Sequence, residues 1–248
     1  MRDLVYPPVI GFAKTAFKVL DLKFQLTGTE NVPRTGGAVI ALNHISYVDF
    51  ILGGYGAVPS KRLVRFMAKE VLFRNRYSGP LMRGMHHIPV DRAAGTASYR
   101  EALRYLKQGE VVGVFPEATI SRSFELKEFK SGTIRMAAAT GVPIIPLILW
   151  GTQRMMTKDH PRDFSRHRTI AITVGAPITV TRDDDAAEAT AHLRSTMAGM
   201  LDRTIRAYPE QPAGAWWLPA SYGGSAPTPD EAERLDQEEL RRRATERG

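Results

Sequence analysis

The 248-residue chain contains no cysteine. This absence excludes disulfides, thiolate metal sites and a cysteine nucleophile, and it fits a reducing compartment. The chain also has no charge-free apolar run of roughly 18 residues, the length that a transmembrane helix needs. Its N-terminus lacks the basic start, apolar stretch and small-residue cleavage site of a signal peptide. We therefore expect neither a membrane-spanning protein nor a secreted, disulfide-linked one.

Several common catalytic and cofactor-binding motifs are also missing. The sequence has no Gly-x-Ser-x-Gly nucleophile elbow, no phosphate-binding P-loop and no Gly-x-Gly-x-x-Gly dinucleotide fingerprint. It has no His-Glu-x-x-His motif, and its 6 histidines show no ligand-like spacing with carboxylates. We expect no metal ion and no bound cofactor.

Positive charge is in excess and is unevenly placed. Lysine and arginine total 34 against 26 aspartates and glutamates, which gives a net charge of +8. The segment 61–92 is the most basic, with 8 lysines and arginines against 2 acids, whereas the last 24 residues carry 7 acids and 5 bases. Such a surplus predicts an anionic partner: a nucleic acid, an anionic lipid or a phosphate-bearing substrate. A solvated basic face is the alternative that composition leaves open.

Apolar runs of strand length alternate with helical patterns along the middle of the chain. This alternation predicts an α/β fold, with a mostly parallel central sheet flanked by helices. Pro143 and Pro146 predict that the most apolar run is an edge or irregular strand, because proline cannot donate to a sheet ladder. The predicted strands cover residues 38–43, 62–69, 87–91, 111–116, 143–150 and 168–174, and the clearest helices cover 96–108, 131–139 and 184–208.

The first thirty residues have a pattern of their own. In residues 1–30, Ala13, Phe17, Leu20 and Phe24 fall on one helical stripe beside lysines, which predicts an N-terminal amphipathic helix. Two interpretations stay open: the helix packs on the core, or it lies in an anionic membrane surface. Our hypothesis for this segment is a membrane-associating helix.

The rest of the chain divides into a domain and an appendage. Residues 31–210 contain all the predicted strands and are expected to form a single domain. Residues 211–248 begin with a stretch rich in proline, glycine and tryptophan and end in charged residues. This composition predicts a linker or wrapping arm followed by a charged tail, either a C-terminal helical extension or frayed, outside the core. The run from Trp216 to Leu218 is a candidate contact with a membrane interface.

One short segment combines the residue types of an acid–base pair. A strand is predicted to end at Asn43, His44 follows it, and a helix is predicted to begin at about Ser46. His44 is therefore expected at the carboxyl edge of the sheet, where open α/β sheets bind ligands. Asp49, in the first helical turn, is placed to fold back toward the imidazole, where a carboxylate fixes the tautomer and stabilises the imidazolium. The alternative is a helix-capping role for Asp49 and a structural role for His44.

This segment resembles the first motif of the glycerolipid acyltransferases, the family of the glycerol-3-phosphate and lysophosphatidic acid acyltransferases. Further motifs follow in the order typical of that family. They are Ala68-Lys69, Ile88-Pro-Val-Asp-Arg92, Phe115-Pro-Glu-Ala-Thr119 with Ser121, Phe129-Lys130 with Gly132, and Val142-Pro-Ile-Ile-Pro146. The similarity covers about residues 31–177, and four motifs in order are far more specific than any one of them.

The resemblance implies a role for ten residues. His44 and Asp49 are the implied catalytic pair. Lys69 and Arg92 are implied to hold the phosphate of the acceptor, and Glu117 is implied to shape the acceptor site with its neighbours. The implied substrate-binding residues are Asn43, Lys69, Arg92, Glu117, Thr119, Ser121, Arg122 and Lys130.

Two positions depart from the pattern of that family. Ala118 stands where glycine is usual, and Ile120 stands where arginine is usual. The missing arginine removes one expected phosphate contact, for which Arg122 is the nearest replacement. Alternatively, the acceptor is not the usual small glycerophosphate.

The resemblance implies transfer of a fatty acyl group from acyl-CoA or an acyl-carrier protein to a hydroxyl of a glycerophosphate-type acceptor. The expected acceptor is 1-acylglycerol-3-phosphate, and the expected role is phospholipid synthesis. Because the chain has neither a cysteine nor a serine elbow, we expect direct transfer without an acyl-enzyme. The acyl chain and a lipid acceptor both partition into bilayers, so we expect a peripheral protein at the cytoplasmic face of the cell membrane.

Other functions stay open. The acceptor is alternatively glycerol-3-phosphate, an amine, or another lipid or glycolipid, and a thioester hydrolase would use water instead. A non-catalytic lipid-binding homologue is disfavoured by the intact His44 and Asp49. A basic nucleic-acid-binding protein is disfavoured because no RNA-binding signature surrounds the basic residues, and we expect no nucleic-acid partner.

Overall fold

The computed structural model describes residues 3–91 and 95–245. Seven strands and eight α-helices are described there. The strands are β1 (Lys23–Thr27), β2 (Ala38–Leu42), β3 (Val64–Lys69), β4 (Ile88–Val90), β5 (Val111–Val114), β6 (Ile144–Trp150) and β7 (Thr169–Val174). The helices are α1 (Tyr6–Val19), α2 (Asp49–Gly56), α3 (Val71–Arg74), α4 (Ser78–Gly84), α5 (Gly95–Lys107), α6 (Gly132–Thr140), α7 (Ala186–Ala207) and α8 (Pro229–Thr245).

The strands form one sheet in the order β1-β7-β6-β2-β5-β3-β4. β2 is parallel to β5 and β6, and β3 is parallel to β5 and β4. β7 is antiparallel to β6, and β1 is parallel to β7, so the last two strands on one side run in the opposite direction. The prediction of a mostly parallel α/β sheet flanked by helices is confirmed. The carboxyl ends of β2, β3 and β5 therefore lie along one edge of the sheet.

Both faces of the sheet are covered by helices, because the central strands bury alternate side chains on opposite faces. In β2, Val39 and Ala41 belong to a core cluster that includes residues of α5, α6 and α7. Ile40 and Leu42 belong to a second cluster, on the other face, which α1 and α2 help to cover. The sheet is thus the middle layer of three.

The N-terminal helix is shorter than the sequence predicts. After α1, the backbone of Asp21 takes a left-handed conformation (φ 48°), and the chain then enters β1. The prediction of a helix through Phe24 is wrong because this turn breaks it. Phe17 and Phe24 nevertheless pack together and against Tyr55, with ring centroids 4.6 to 5.4 Å apart, so this stripe faces the core. No helix in the two described ranges is long and apolar enough to cross a bilayer.

The arm after α7 packs on the domain. Trp217 and Leu218 are buried, and the Trp217 ring packs edge-on against Tyr208. Trp216 is half-buried and stacks on His160. The expectation that this run contacts a membrane is wrong for Trp217 and Leu218, because both side chains belong to the core.

The charged C-terminal segment forms α8 and lies against the domain. Ala232 and Asp236 on one side of the helix are buried. Arg122 and Lys158 from the domain form ion pairs with both Asp236 and Glu239 of α8. We call this set of two cations and two carboxylates the α8 clasp, since it fastens a largely hydrophilic helix by charge.

β6 is an interior strand although it contains proline. It pairs with β2 on one side and β7 on the other, and all its residues are buried. Pro146 lies just beyond the last residue pair of the β6–β7 ladder, and its carbonyl oxygen accepts a hydrogen bond from Gly175 N (2.8 Å). The prediction of an edge strand is wrong. An interior strand accommodates Pro146, which has no N–H, because this residue lies just outside the β6–β7 ladder.

Candidate active site

The site begins where β2 ends, at the carboxyl edge of the sheet. Asn43 is buried there, and its amide bonds the neighbouring strand twice. Leu149 N donates to Asn43 Oδ1 (2.7 Å), and Asn43 Nδ2 donates to Leu149 O (3.0 Å). Both polar atoms of the Asn43 side chain are thus hydrogen-bonded to β6. Asn43 therefore fixes the start of the loop that carries His44.

Asp49 is fully buried at the first residue of α2. Its Oδ2 accepts hydrogen bonds from the backbone N–H groups of Ile45 and Ser46, both at 2.7 Å. Its Oδ1 accepts a hydrogen bond from Thr152 Oγ1 at 2.6 Å. Oδ2 also lies 3.0 Å from His44 Nδ1. One carboxylate thus orders both the turn before α2 and the imidazole, so the structural interpretation and the catalytic one describe the same contacts.

The imidazole of His44 is held by a carboxylate and by an aromatic ring. Because Nδ1 faces Asp49, we assign the proton to Nδ1 and the free lone pair to Nε2. The imidazole stacks on the ring of Phe115, with centroids 4.2 Å apart and planes inclined by 26°. The His44 side chain is 21 % exposed. A fixed tautomer, a buried carboxylate and access from solvent are what a general base needs.

Glu117 holds the backbone of the same loop. It is buried, its Oε1 accepts the N–H of His44 (2.8 Å), and its Oε2 accepts the N–H of Lys127 (3.0 Å). Burial raises the pKa of this carboxyl to about 8, although the two hydrogen bonds act to lower it. Both oxygens are used by backbone donors, which makes Glu117 a positioning group for His44.

The residues that follow Glu117 pack against the same turn. Ser121 is buried, its N–H donates to His44 O (2.8 Å), and its hydroxyl donates to Glu125 O (2.7 Å). Thr119 is half-buried, and its hydroxyl oxygen accepts a hydrogen bond from Lys158 Nζ (3.2 Å). Of these two hydroxyls, that of Thr119 is the more accessible to a substrate.

The two departures from the family pattern have structural consequences. Ala118 has a φ of 59°, in the left-handed region that favours glycine and that costs another residue about 1 kcal/mol. Ile120 is buried in the interior, so this position offers no charge. Arg122 is buried as well and directs its guanidinium to three carboxylates, two of them in the α8 clasp. Arg122 was expected to bind the acceptor phosphate, but its guanidinium is instead paired with carboxylates of the protein itself.

The other predicted phosphate-binding cations lie toward solvent or outside the described ranges. Lys69 is exposed at the end of β3, and Lys130 is exposed before α6. Because β2, β3 and β5 are parallel neighbours, Lys69 lies at the same edge of the sheet as His44. Arg92 lies outside the described residues.

Three residues that contact His44, Asp49 or Thr119 were not predicted as site residues. Thr152, which bonds Asp49, follows β6 and reaches the site because β6 lies beside β2. Lys158, which bonds Thr119, comes from the same connection after β6. Neither belongs to a recognisable motif. Phe115 does, and its position directly after a buried strand was the signal that could have identified it.

A buried carboxylate behind an accessible histidine, at the carboxyl edge of a mostly parallel sheet, is the arrangement that a general base requires in an α/β protein. The sequence matches the Acyltransferase family over residues 23–150, which is more than half of the chain. The chain belongs to this family.

Named relatives agree with that assignment. The chain is 35 % identical over 144 residues to the 1-acyl-sn-glycerol-3-phosphate acyltransferase of Bacillus subtilis, a match that covers 56 % of this chain and 70 % of that protein. It is 30 % identical over 150 residues to the protein of the same name from Borreliella burgdorferi, covering 59 % and 58 % of the two chains. Among solved structures, the 1-acyl-sn-glycerophosphate (LPA) acyltransferase PlsC from Thermotoga maritima is similar with a TM-score of 0.69. That match has 22 % identity and covers 82 % of this chain and 80 % of PlsC, which confirms the fold.

Proposed function

We propose that the protein is an O-acyltransferase that moves a fatty acyl group from a thioester donor to a hydroxyl of 1-acylglycerol-3-phosphate, in phospholipid synthesis. The observation that carries the proposal is the His44–Asp49 pair, with 3.0 Å between Nδ1 and Oδ2, at the edge of the sheet. The names of the Bacillus and Borreliella relatives support the acceptor class. The donor is acyl-CoA or an acyl-carrier protein.

His44 acts first as a base and then as an acid. Nε2 removes the proton from the acceptor hydroxyl while the oxygen attacks the thioester carbonyl carbon. The tetrahedral oxyanion collapses with cleavage of the C–S bond, and the imidazolium gives its proton to the leaving thiolate. The products are an ester and a free thiol, and His44 is neutral again. Asp49 stabilises the imidazolium between the two proton transfers.

The substrate-binding roles follow from accessibility. Lys69 and Lys130 are exposed and are proposed to hold the acceptor phosphate through charge-assisted hydrogen bonds, with Arg92 as a third cation. Thr119 is proposed to contact the acceptor. The buried residues Asn43, Glu117 and Ser121 instead keep the catalytic loop in place.

The test is thiol release from palmitoyl-CoA with the purified protein. Lysophosphatidic acid, glycerol-3-phosphate and water are compared as acceptors. We expect release to depend on lysophosphatidic acid and to be lost in His44→Ala, whereas His192→Ala, which alters an exposed histidine of α7, keeps it. Near-normal turnover in His44→Ala would exclude the mechanism. Release with water alone would identify a thioester hydrolase.

A second acceptor class is favoured by one observation. Ile120 is buried and Arg122 is bonded to carboxylates, so neither offers a cation to a phosphate. An acceptor without phosphate, such as a glycolipid, needs no such contact. Faster thiol release with monoacylglycerol or a glycolipid than with lysophosphatidic acid would select this alternative.

We propose that the protein works as a peripheral protein at the cytoplasmic face of the cell membrane. The acyl chain and a lysophospholipid acceptor both partition into bilayers. The net charge of +8 also suits the negative surface potential of that leaflet.

A further inference from the structure

The segment after β3 is anchored to the domain by one apolar face. Phe73 of α3, Met82 of α4 and Met85 are buried. Gly79 lies so close to α3 that an added Cβ would be 2.3 Å from Phe73 O. These buried residues pack α3 and α4 against the domain.

Four large apolar side chains of this segment are nevertheless exposed. Val71 is 64 % exposed, Leu72 42 %, Tyr77 71 % and Leu81 47 %. We call these four residues the α3–α4 patch. Single exposed apolar residues are ordinary, but four large ones on one short segment mark a surface that contacts another phase or another molecule.

The charges around the α3–α4 patch have one dominant sign. Arg74, Arg76 and Arg83 are exposed on this segment, and the guanidinium of Arg76 lies 4.6 Å from the centre of the Tyr77 ring. Glu70 is the single acid within residues 69–83. Apolar side chains rimmed by arginines match an anionic phospholipid surface, since the side chains enter the acyl region and the guanidinium groups meet the phosphates.

The start of α1 extends the patch. Val5 packs against Gly84 at the end of α4, where an added Cβ would lie 2.6 Å from Val5 Cγ2. Leu4, next to it, is 75 % exposed. By contrast, the stripe of α1 that contains Phe17 faces the core. The α3–α4 patch and Leu4 are therefore distinct from the stripe that the sequence indicates.

We infer that the α3–α4 patch, with its rim of arginines, is the surface through which this protein docks on an anionic phospholipid bilayer. α3 begins just after β3, whose carboxyl end lies at the same edge of the sheet as His44. A lipid acceptor drawn from a bilayer at the patch enters at the edge that carries the catalytic pair. The docking stands on the surface alone, whereas this consequence rests on the proposed function.

Vesicle flotation tests the docking with the full chain. Vesicles of phosphatidylcholine with and without phosphatidylglycerol are mixed with the wild type and with the variants Leu81→Gln and Arg76→Gln. We expect the wild type to float only with phosphatidylglycerol. Leu81→Gln is expected to weaken binding about tenfold, from the lost apolar burial. Arg76→Gln is expected to weaken it about fivefold, from one lost charge near the surface.

Matched controls lie on α8. Leu240→Gln changes a leucine that is 60 % exposed, and Arg241→Gln changes an exposed arginine, and both should float like the wild type. A wild type that stays in solution with anionic vesicles overturns the inference. So does a Leu81→Gln variant that floats like the wild type. A wild-type dimer that Leu81→Gln splits, without vesicle binding, would show instead that the patch joins two copies of the chain.

The activity assay separates this inference from the proposed function. Leu81→Gln should slow acyl transfer to an acceptor presented in anionic vesicles, while transfer to a soluble short-chain lysophosphatidic acid stays at the wild-type rate. If the wild type transfers to neither acceptor, the proposed function fails, and flotation still decides the docking. If both transfers fall equally in Leu81→Gln, the patch acts on the site and not on the membrane.

Discussion

Replacing Asp49 with asparagine removes one charge and leaves almost every contact in place. Oδ2 accepts two backbone N–H groups, from Ile45 and Ser46, so the amide oxygen of an asparagine must take that position. The amide nitrogen then faces Thr152, whose hydroxyl can accept as well as donate. The oxygen still accepts the Nδ1 proton of His44, so the tautomer is kept. Asp49→Asn thus isolates the effect of the negative charge.

The size of that effect follows from the geometry. Opposite charges 3.0 Å apart attract by about 5 kcal/mol at an effective dielectric constant of roughly 20. The His44 side chain is partly exposed, so water screens part of this attraction, and we take about 3 kcal/mol. Since 1.36 kcal/mol is a factor of ten, the imidazolium-like transition state loses about 150-fold in rate. We expect kcat to fall by that factor while KM changes little.

The assay is the release of free thiol, read with a thiol reagent. Because the chain contains no cysteine, the reagent reports the product alone. Asp183→Asn, at an exposed position before α7, is the matched control and should keep the wild-type kcat. A kcat for Asp49→Asn within a few-fold of the wild type, in a protein with an unchanged melting temperature, would refute the role of the charge.

Three further predictions concern stability, measured by urea unfolding. Glu117 has a pKa of about 8 when folded, against an ordinary value of 4.5, so the folded state keeps a proton that the unfolded state releases. Wild-type stability should therefore fall as the pH rises from 4.5 to 8, and Glu117→Gln should remove that fall. Thr152→Val should cost about 1–3 kcal/mol, because Asp49 Oδ1 loses its donor. Asp236→Asn should cost about 3 kcal/mol, because Arg122 and Lys158 lose a nearly buried counter-charge.

Each of these has a control and a refuting result. For the prediction on Glu117 the control is Glu128→Gln, which changes a side chain that is 93 % exposed and should keep the wild-type pH dependence of stability. The prediction would be refuted if stability depended on pH in the same way in the wild type and in Glu117→Gln. Wild-type stability in Thr152→Val would mean that the carboxylate of Asp49 needs no donor at Oδ1. Glu238→Gln is the control for Asp236→Asn on the exposed side of α8, and equal losses in the two would show that the α8 clasp is not what holds the helix.

The pairing of His44 with Asp49 could be predicted because it depends on local structure. A strand changes to a turn and a helix between the two residues, and this change brings side chains five positions apart into contact. The parallel sheet was predictable for a similar reason, since alternating strands and helices admit few arrangements.

The contacts that escaped prediction depend on distant parts of the chain. Thr152 meets Asp49 across 103 positions, because the sheet places β6 beside β2, and no local pattern encodes that order. The helical stripe through Phe24 was misleading. Phe24 lies in β1, after the turn at Asp21, and its side chain still packs on the core. Tryptophan is a residue type that is common at membrane interfaces, so the sequence suggested an exposed Trp217. The structure shows instead that Trp217 is buried and packs against Tyr208.

The α8 clasp has a consequence for the order in which the protein matures. Arg122 belongs to the segment that contacts His44, yet its partner Asp236 is 114 positions further along the chain. During synthesis the earlier segment emerges first, so the buried guanidinium of Arg122 lacks most of its counter-charge until α8 is made. In a chain cut before α8, Arg122 keeps its partner Asp159 and loses Asp236 and Glu239. α8 is thus made well after the loop that carries His44, and yet it completes the surroundings of that loop.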